Sequence, residues 1–175
     1  MEQHFQTEQW VPFPLEHVFL FFANPQNLPR IMPPSMDIRI ECAKLMSPPP
    51  PPQTMDHGEV SNLAGVGSEI ITSFRLVPLL PFRAAWTAVI VEFAWYHYFA
   101  DIQQKGLFKN FRHKHELIGQ QREGRAGTIV RDSVDYDLGF GVLGKLAQRV
   151  FVNRQMREMF SHRQSVLEEM LGNEP

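Results

Sequence analysis

The chain has 175 residues, a formal net charge of −2, 43% hydrophobic residues and one cysteine. This length and composition are typical of one globular domain, and the charge provides no basic patch of the kind that binds nucleic acid. A lone cysteine excludes an intrachain disulfide and a cysteine-rich zinc site. No apolar run reaches the roughly 18 residues of a membrane span, and the N-terminus lacks the basic start of a signal peptide. We therefore expect a single domain over residues 1–175, located in the cytoplasm.

Proline and apolar residues define the elements of the N-terminal part. A first strand over 4–11 ends at Pro12, which has no amide hydrogen for a β ladder. Apolar residues then recur at helical spacing over 15–22, and the pair Asn24–Pro25 favours the start of another helix. The first strand is therefore expected to lead into two short helices.

A second strand and a proline-rich segment follow. Residues 36–45 alternate in polarity as a strand does, and the apolar neighbours of Cys42 predict a buried, unreactive thiol. Five consecutive prolines, Pro48–Pro52, favour an extended polyproline II segment within a loop insertion over 46–64. We interpret this loop first as a stiff hairpin connection and second as a docking site for a proline-recognising protein partner.

The remaining sequence predicts a run of strands and then one long helix. Five segments have strand patterns: 67–74, 85–93, 95–102, 108–118 and 128–136. The polar, glycine-bearing stretch 119–127 is expected to be a turn. Residues 140–171 contain no proline and have the apolar spacing of a helix.

This order of elements predicts an α+β fold. Successive strands without helices between them must pair antiparallel, and a sheet of six or seven such strands twists and curls. The C-terminal helix is the one large amphipathic element that can cover the concave face. We therefore expect a curved antiparallel sheet wrapped around a long C-terminal helix, with a pocket for an apolar molecule between them.

The strand over 108–118 has the sharpest pattern in the sequence. Phe111, His113 and His115 share one face by the strand period of two, whereas the residues between them are polar or charged. Because the charged face belongs in water, both histidines are expected to point inward.

Neighbouring strands add carboxylates to the same interior. Alternation over 128–136 places Asp132 and Tyr136 inward, and upstream Asp101 shares a face with the apolar Phe99. A buried polar group without a partner costs roughly 1–3 kcal/mol, and a charged group costs more. We therefore expect the two carboxylates to form a network with the two histidines.

Three interpretations of this network compete. It is a structural network that fixes strand register, a polar anchor for an apolar ligand, or a catalytic site in which a carboxylate tunes a histidine. In the catalytic interpretation the acting residues are His113, His115 and Asp132. The motif His-x-His is too weak by itself to predict a metal site, so no metal ligands are assigned.

The long helix adds apolar candidates to the predicted site. Met156 and Phe160 fall on its apolar stripe, where a methionine suits a deformable wall for variable ligands. The arginines of this helix are interspersed with acids and are interpreted as a solvated face: Arg149, Arg154, Arg157 and Arg163. The ligand contacts predicted from the sequence are Asp101, Phe111, His113, His115, Asp132, Tyr136, Met156 and Phe160.

Several segments of the chain resemble a known superfamily. Phe13–Phe19 and Ala23–Pro29 look like the beginning of START-like, or SRPBCC, domains, which have the helix-grip fold. Later segments are similar to a bacterial branch of that superfamily, described as cyclase/dehydrase-like or ligand-binding: 99–103, 106–108, 111–115, 127–128, 132–136, 140–141 and 143–144. The resemblance covers nearly the whole chain and implies the same fold as the order of elements.

The resemblance also implies an apolar cavity between the sheet and the long helix. Relatives include lipid carriers, plant hormone receptors, aromatic polyketide cyclases and ubiquinone-binding proteins. We therefore expect binding of a hydrophobic or aromatic small molecule, such as a lipid, a quinone or a polyketide-like compound. The alternatives are a cyclase or dehydratase with a histidine–aspartate pair, and a protein-interaction module built on Pro48–Pro52. No iron triad of the oxygenase relatives is recognisable, so no cofactor is expected.

Overall fold

The computed structural model describes residues 2–51, 57–75, 82–137 and 151–173. The strands are β1 (Gln3–Val11), β2 (Arg39–Lys44), β3 (Glu69–Phe74), β4 (Ala84–Ala94), β5 (Tyr98–Lys105), β6 (Asn110–Arg122) and β7 (Arg125–Asp137). The α-helices are α1 (Leu15–Ala23) and α2 (Asn153–Gly172). Short 3₁₀ helices span Pro25–Arg30, Pro34–Met36 and His57–Asn62.

The strands form one antiparallel sheet of seven, in the order β1-β7-β6-β5-β4-β3-β2. Consecutive strands pair from β2 to β7, and β1 joins the sheet beside β7. Helix α2 packs on the sheet, because Leu167 and Leu171 of its apolar stripe are buried with residues of α1 and the strands. The predicted α+β helix-grip fold, a curved antiparallel sheet around a C-terminal helix, is confirmed. The part of the long helix predicted over 140–150 lies outside the described residues.

The two short helices predicted after β1 differ in kind. The first is α1, and the second is the 3₁₀ helix Pro25–Arg30. The side chain of Asn24 caps the second helix by accepting a hydrogen bond of 3.1 Å from the amide of Gln26. A prolyl ring at position 29 removes an amide donor, which favours a short 3₁₀ segment over a continued α-helix.

The β6–β7 hairpin is longer than the sequence predicts. The turn expected over 119–127 is confined to Glu123 and Gly124, whose φ angles are 51° and 76°. Two consecutive residues with positive φ match the turn that suits the twist of a two-residue hairpin. The flanking residues are polar because this end of the hairpin projects into solvent, and not because it is a loop.

Cys42 is exposed, which corrects the prediction of a buried thiol. It lies on β2, an edge strand whose pairing with β3 shifts register between Ile40 and Cys42. The irregularity breaks the alternation on which the prediction depended, so an apolar neighbour no longer indicates a buried position.

The described part of the proline segment packs against its own chain. Pro48 is buried, and the indole Nε1 of Trp95 donates a hydrogen bond of 3.0 Å to the carbonyl oxygen of Pro49. A Cβ atom on Gly65 would lie 2.5 Å from the backbone of Pro48, so the two chain segments are in close contact. The protein partner predicted for Pro48–Pro52 stays a prediction, and Pro52 itself lies outside the described residues.

The apolar interior contains two clusters of buried side chains. The larger cluster joins α1, the strands and the C-terminal half of α2, and includes Phe19 and Leu167. The smaller cluster joins β7 to the first turns of α2 and consists of Val134, Tyr136, Met156 and Phe160. The polar residues predicted to face inward lie where these two clusters meet.

Candidate functional site

Four polar side chains from three adjacent strands meet on the concave face of the sheet. The strand register pairs Asp101 of β5 with His113 of β6, and His115 of β6 with Asp132 of β7. Their exposed side-chain fractions are 14%, 14%, 11% and 4%, respectively. They point inward, as the alternation of β6 and β7 predicts. Together with Arg163 of α2, these four residues are called the polar layer below.

Asp132 is the centre of the polar layer. Its Oδ1 atom lies 3.1 Å from Nε2 of His113 and 2.7 Å from Nδ1 of His115, and its Oδ2 atom accepts a hydrogen bond from Nη2 of Arg163. Burial by itself would raise the pKa of Asp132, but the charge of Arg163 and the two imidazole partners hold that pKa well below its usual range. The carboxylate is therefore ionised at all ordinary pH values.

Arg163 corrects the prediction of a solvated arginine face on the C-terminal helix. Its side chain is 8% exposed, and its guanidinium lies 4.7 Å from the ring centroid of Phe22 and 5.1 Å from that of Phe160. A cation between aromatic faces with a carboxylate partner is stable in an interior. Its position in the sequence indicated burial, because helical spacing places Arg163 on the same apolar stripe as Phe160 and Leu167.

His115 is a neutral imidazole in an aromatic setting. Its ring stacks on Phe99 with centroids 4.6 Å apart and lies 5.7 Å from the ring of Phe22. Burial, followed by the charge of nearby His113, lowers the pKa of His115 to about 3. Its Nδ1 atom is close to Asp132 but has no aligned hydrogen-bond partner among the described residues.

The carboxyl group of Asp101 has fewer close partners than that of Asp132. The side chain that approaches it is His113, whose Nδ1 atom lies 4.0 Å from Oδ1 of Asp101, beyond hydrogen-bond distance. Burial raises the pKa of Asp101 to about 6. A carboxyl group of this kind changes its charge near neutral pH, and within the described part of the chain it has a vacant hydrogen-bonding position.

Aromatic side chains from the sheet and from α2 border the polar layer on the side of the smaller cluster. The ring of Phe160 lies 5.8 Å from that of His113, and Phe111 packs edge-to-face on Trp86 at 4.7 Å. The Tyr136 hydroxyl donates a hydrogen bond of 2.5 Å to Oδ1 of Asn153 at the start of α2. All eight residues predicted from the sequence thus lie on facing surfaces of the sheet and α2. Arg163, Phe22 and Phe99 were missed.

Asp101, His113 and His115 also satisfy the basic requirement of a metal site. Each offers one ligand atom, and these atoms all lie within 4.8 Å of one another. Two imidazole nitrogens and one carboxylate oxygen are donors suited to a transition-metal ion.

Two grooves on the surface of the described structure lie away from the polar layer. One runs along the outer face of α2 past Glu158 and His162, and the other lies between Leu15 and the β6–β7 hairpin. Neither groove is lined by a residue of the predicted site. No helix of the described residues is both long and apolar enough to cross a membrane.

Comparison with known proteins assigns the fold. No family model and no curated protein match the sequence. TTHA0849 from Thermus thermophilus is similar in structure with a TM-score of 0.63 and 15% identity over 97% of both chains. A START superfamily protein from Mycobacterium smegmatis has a TM-score of 0.59 and 12% identity, again over 97% of both chains. Norcoclaurine synthase from Thalictrum flavum, in complex with dopamine and hydroxybenzaldehyde, has a TM-score of 0.58 and 13% identity over 97% of this chain and 88% of that one.

These likenesses confirm the predicted resemblance to START-like, or SRPBCC, proteins as a resemblance of fold. The match extends over nearly the full length of each chain, so it includes the sheet and the C-terminal helix together. A shared fold hosts many unrelated functions, so the function has to be argued from the side chains of the polar layer.

Proposed function

We propose that this chain binds a hydrophobic or aromatic small molecule between the sheet and α2, with the polar end of the molecule against Asp101. The observation that carries the proposal is the burial and hydrogen bonding of Asp101. It is a largely buried carboxylate without a hydrogen bond among the described residues, and it belongs to a polar layer whose two imidazoles are in contact with aromatic rings. A hydroxyl or amine of a bound molecule would supply the missing donor.

The energetics of burial support this assignment. A buried acceptor without a partner costs roughly 1–3 kcal/mol, and more when it is charged. Asp132 avoids this cost through Arg163 and His113, whereas no hydrogen bond to Asp101 is found among the described residues. Small-molecule sites generally combine an apolar wall with a few convergent polar groups, and the polar layer combines such groups with the rings of Phe99 and Phe160.

The similarity in fold to norcoclaurine synthase supports the chemical class. That enzyme is described in complex with two small aromatic compounds, dopamine and hydroxybenzaldehyde. Aromatic rings also border the polar layer here, through Phe99, Phe111 and Phe160. Lipids with a hydroxyl head group, and quinones in their reduced quinol form, also place a donor on an apolar body and belong to the same proposed class.

A thermal-shift screen of EDTA-treated protein tests the proposal. The panel pairs hydroxylated aromatics, quinols and lipids with their methyl ethers or esters, which lack the donor. A ligand at about 100 times its Kd stabilises by roughly 2.7 kcal/mol, or about 5 to 10 °C in Tm for a chain of this size. We expect the donor-bearing member of a pair to give the larger shift, and Asp101→Asn to remove the difference. A panel in which no compound raises Tm contradicts the proposal.

An enzyme of the cyclase or dehydratase type is the second candidate. The observation that favours it is a carboxyl group with a pKa of about 6 beside an imidazole that is neutral at pH 7. A general acid is most effective when its pKa is near the working pH, and Asp101 is the group that meets this condition. Incubation with a linear polyketone and mass analysis for loss of water tests it. Turnover that persists in Asp101→Asn excludes this role.

A further inference from the structure

We infer that Asp101, His113 and His115 bind a divalent first-row transition-metal ion of the Zn²⁺ or Fe²⁺ type. Their ligand atoms lie within 4.8 Å of one another, and Nδ1 of His113 is 4.0 Å from Oδ1 of Asp101. Bonds from nitrogen and oxygen to such ions are roughly 2.0–2.2 Å long, so two ligand atoms of a tetrahedral ion lie about 3.4 Å apart, and the side chains of Asp101 and His113 would close by about half an ångström to bind one ion. The inference does not depend on the proposed function, because it concerns an ion in the absence of any organic ligand.

Asp132 orients the imidazole of His113 in the way that metal-binding histidines require. Its Oδ1 atom is hydrogen-bonded to Nε2 of His113 at 3.1 Å, so that ring keeps Nδ1, the atom nearest to Asp101, for an ion. Histidine ligands almost always place their second ring nitrogen against a carboxylate, carbonyl or water, which fixes the tautomer. Arg163 holds the other oxygen of Asp132 in place. The histidines, Asp132 and Arg163 are all buried or largely buried, unlike a histidine and a carboxylate that meet on the protein surface.

The charge of the polar layer also favours a cation. Apart from the imidazoles, two carboxylates face one guanidinium, which sums to a formal charge of −1 in an interior where charge is costly. A divalent ion reverses the local charge to +1, which an oxygen of a bound ligand would neutralise at an open coordination position. Two nitrogen donors select transition-metal ions over Mg²⁺ and Ca²⁺, which prefer oxygen ligands.

An ion can reach these groups. The side chains of Asp101 and His113 are each 14% exposed, and that of His115 is 11% exposed. The three side chains thus keep a small exposed surface, and a metal site needs such access for entry of the ion.

Titration of EDTA-treated protein with Co²⁺ and Zn²⁺ tests this inference. We expect one equivalent to bind, visible by calorimetry and by the absorption bands of Co²⁺. Loss of an outer-shell partner lowers metal affinity roughly 10- to 100-fold, so Asp101→Asn, which removes a ligand, should lower it by at least that factor. His4→Ala is the matched control, because His4 also lies 2.7 Å from a carboxylate, that of Asp135, but on the surface.

A second measurement needs no variant and so does not depend on variant folding. X-ray absorption of the zinc-loaded wild-type protein should show nitrogen and oxygen ligands only, with scattering from two imidazoles. The inference is overturned if no stoichiometric ion binds, if Asp101→Asn binds within about twofold of wild type, or if His4→Ala abolishes binding. Failure of the ligand screen with retention of Co²⁺ binding would remove the proposed function alone.

Discussion

Arg163 of α2 and Asp132 of β7 form a buried ion pair that joins the C-terminal helix to the sheet. The same carboxylate faces both imidazoles of β6, so one aspartate organises the interior surface on which a ligand is proposed to lie. Because the pair connects the two layers of the fold, its loss affects both the stability of the chain and the geometry of the polar layer.

Replacement of Arg163 by methionine should strongly destabilise the protein. The change keeps much of the apolar packing on Phe22 and Phe160 but leaves Asp132 without its cation. Removal of one partner from a buried ion pair costs roughly 3–5 kcal/mol. Urea denaturation followed by circular dichroism measures the free energy of unfolding.

Two comparison variants identify the cause of that loss. Arg157→Met changes an exposed residue of the same helix and should alter stability by no more than about 0.5 kcal/mol. The double variant Arg163→Met with Asp132→Leu removes both charges, so its loss should be smaller than the sum of the two single losses. Additive losses would show that the ion pair contributes no coupling.

Asp101 should make the stability of the metal-free protein depend on pH. Its pKa is about 6 in the folded protein and about 3.9 in an unfolded chain. Between these values the native state holds a proton that the unfolded state has released, so stability from this group falls as the pH rises. Asp101→Asn removes this decrease in stability, because asparagine does not titrate. The stability of the variant relative to wild type should therefore rise by about 2–3 kcal/mol from pH 4 to pH 7.

Denaturation curves at several pH values check this prediction. His115 titrates in the opposite sense, because its folded pKa of about 3 lies below that of an unfolded histidine, but it is present in both proteins and cancels in the difference. Glu168→Gln, a change to an exposed carboxylate on α2, should show a flat difference. A flat difference for Asp101→Asn as well would mean that folding does not raise the pKa of Asp101.

Gly65→Ala should destabilise the protein by displacing the proline segment. The added Cβ atom would lie 2.5 Å from the backbone of Pro48, which cannot move aside as a flexible side chain can. Overpacking of this kind costs roughly 1–3 kcal/mol. Gly119→Ala is the matched control, because the nearest atom to its Cβ is the terminal carbon of Leu15 at 3.9 Å. Equal Tm values for the two variants would show that Pro48 does not dock tightly.

Tyr136→Phe should cost less than Asn153→Ala, although the two changes break the same hydrogen bond. Phenylalanine removes the buried hydroxyl along with its bond, so the expected loss is about 0.5–1.5 kcal/mol. Alanine at position 153 leaves that hydroxyl without its partner, which raises the loss to roughly 1–3 kcal/mol. The reverse order in denaturation measurements would show that the hydrogen bond is not formed in solution.

The sequence predicts the polar layer on the sheet because strand alternation is strict there. In β6 and β7 every charged residue except Asp132 lies on one face, so the other face, with His113, His115 and Asp132 among apolar neighbours, is expected inside. The inward face of such a strand can be predicted from its alternation of residues, without knowledge of tertiary contacts. The fold class followed from the same strands, since uninterrupted strands pair antiparallel.

The contribution of the helix could not be predicted in the same way. Arginine is seldom buried, and composition therefore assigned Arg163 to solvent, although the helical stripe from Phe160 to Leu167 pointed inward at that position. Its partner, Asp132, is distant in sequence, and only the packing of α2 on the sheet brings the two together. The hairpin was misjudged for a related reason, since exposed strands and loops have the same polar composition.

Imidazole signals in ¹H–¹⁵N NMR spectra test the central claim, a ligand held against the polar layer, most directly. Metal-free protein is titrated with the compound that gives the largest thermal shift, and the ring signals of all the histidines are followed. We predict that His113 and His115 shift in a saturable 1:1 manner, whereas His162, which lines the outer groove of α2, does not. A saturable shift of His162 with unchanged His113 and His115 would contradict the account, because the ligand would then bind outside the sheet.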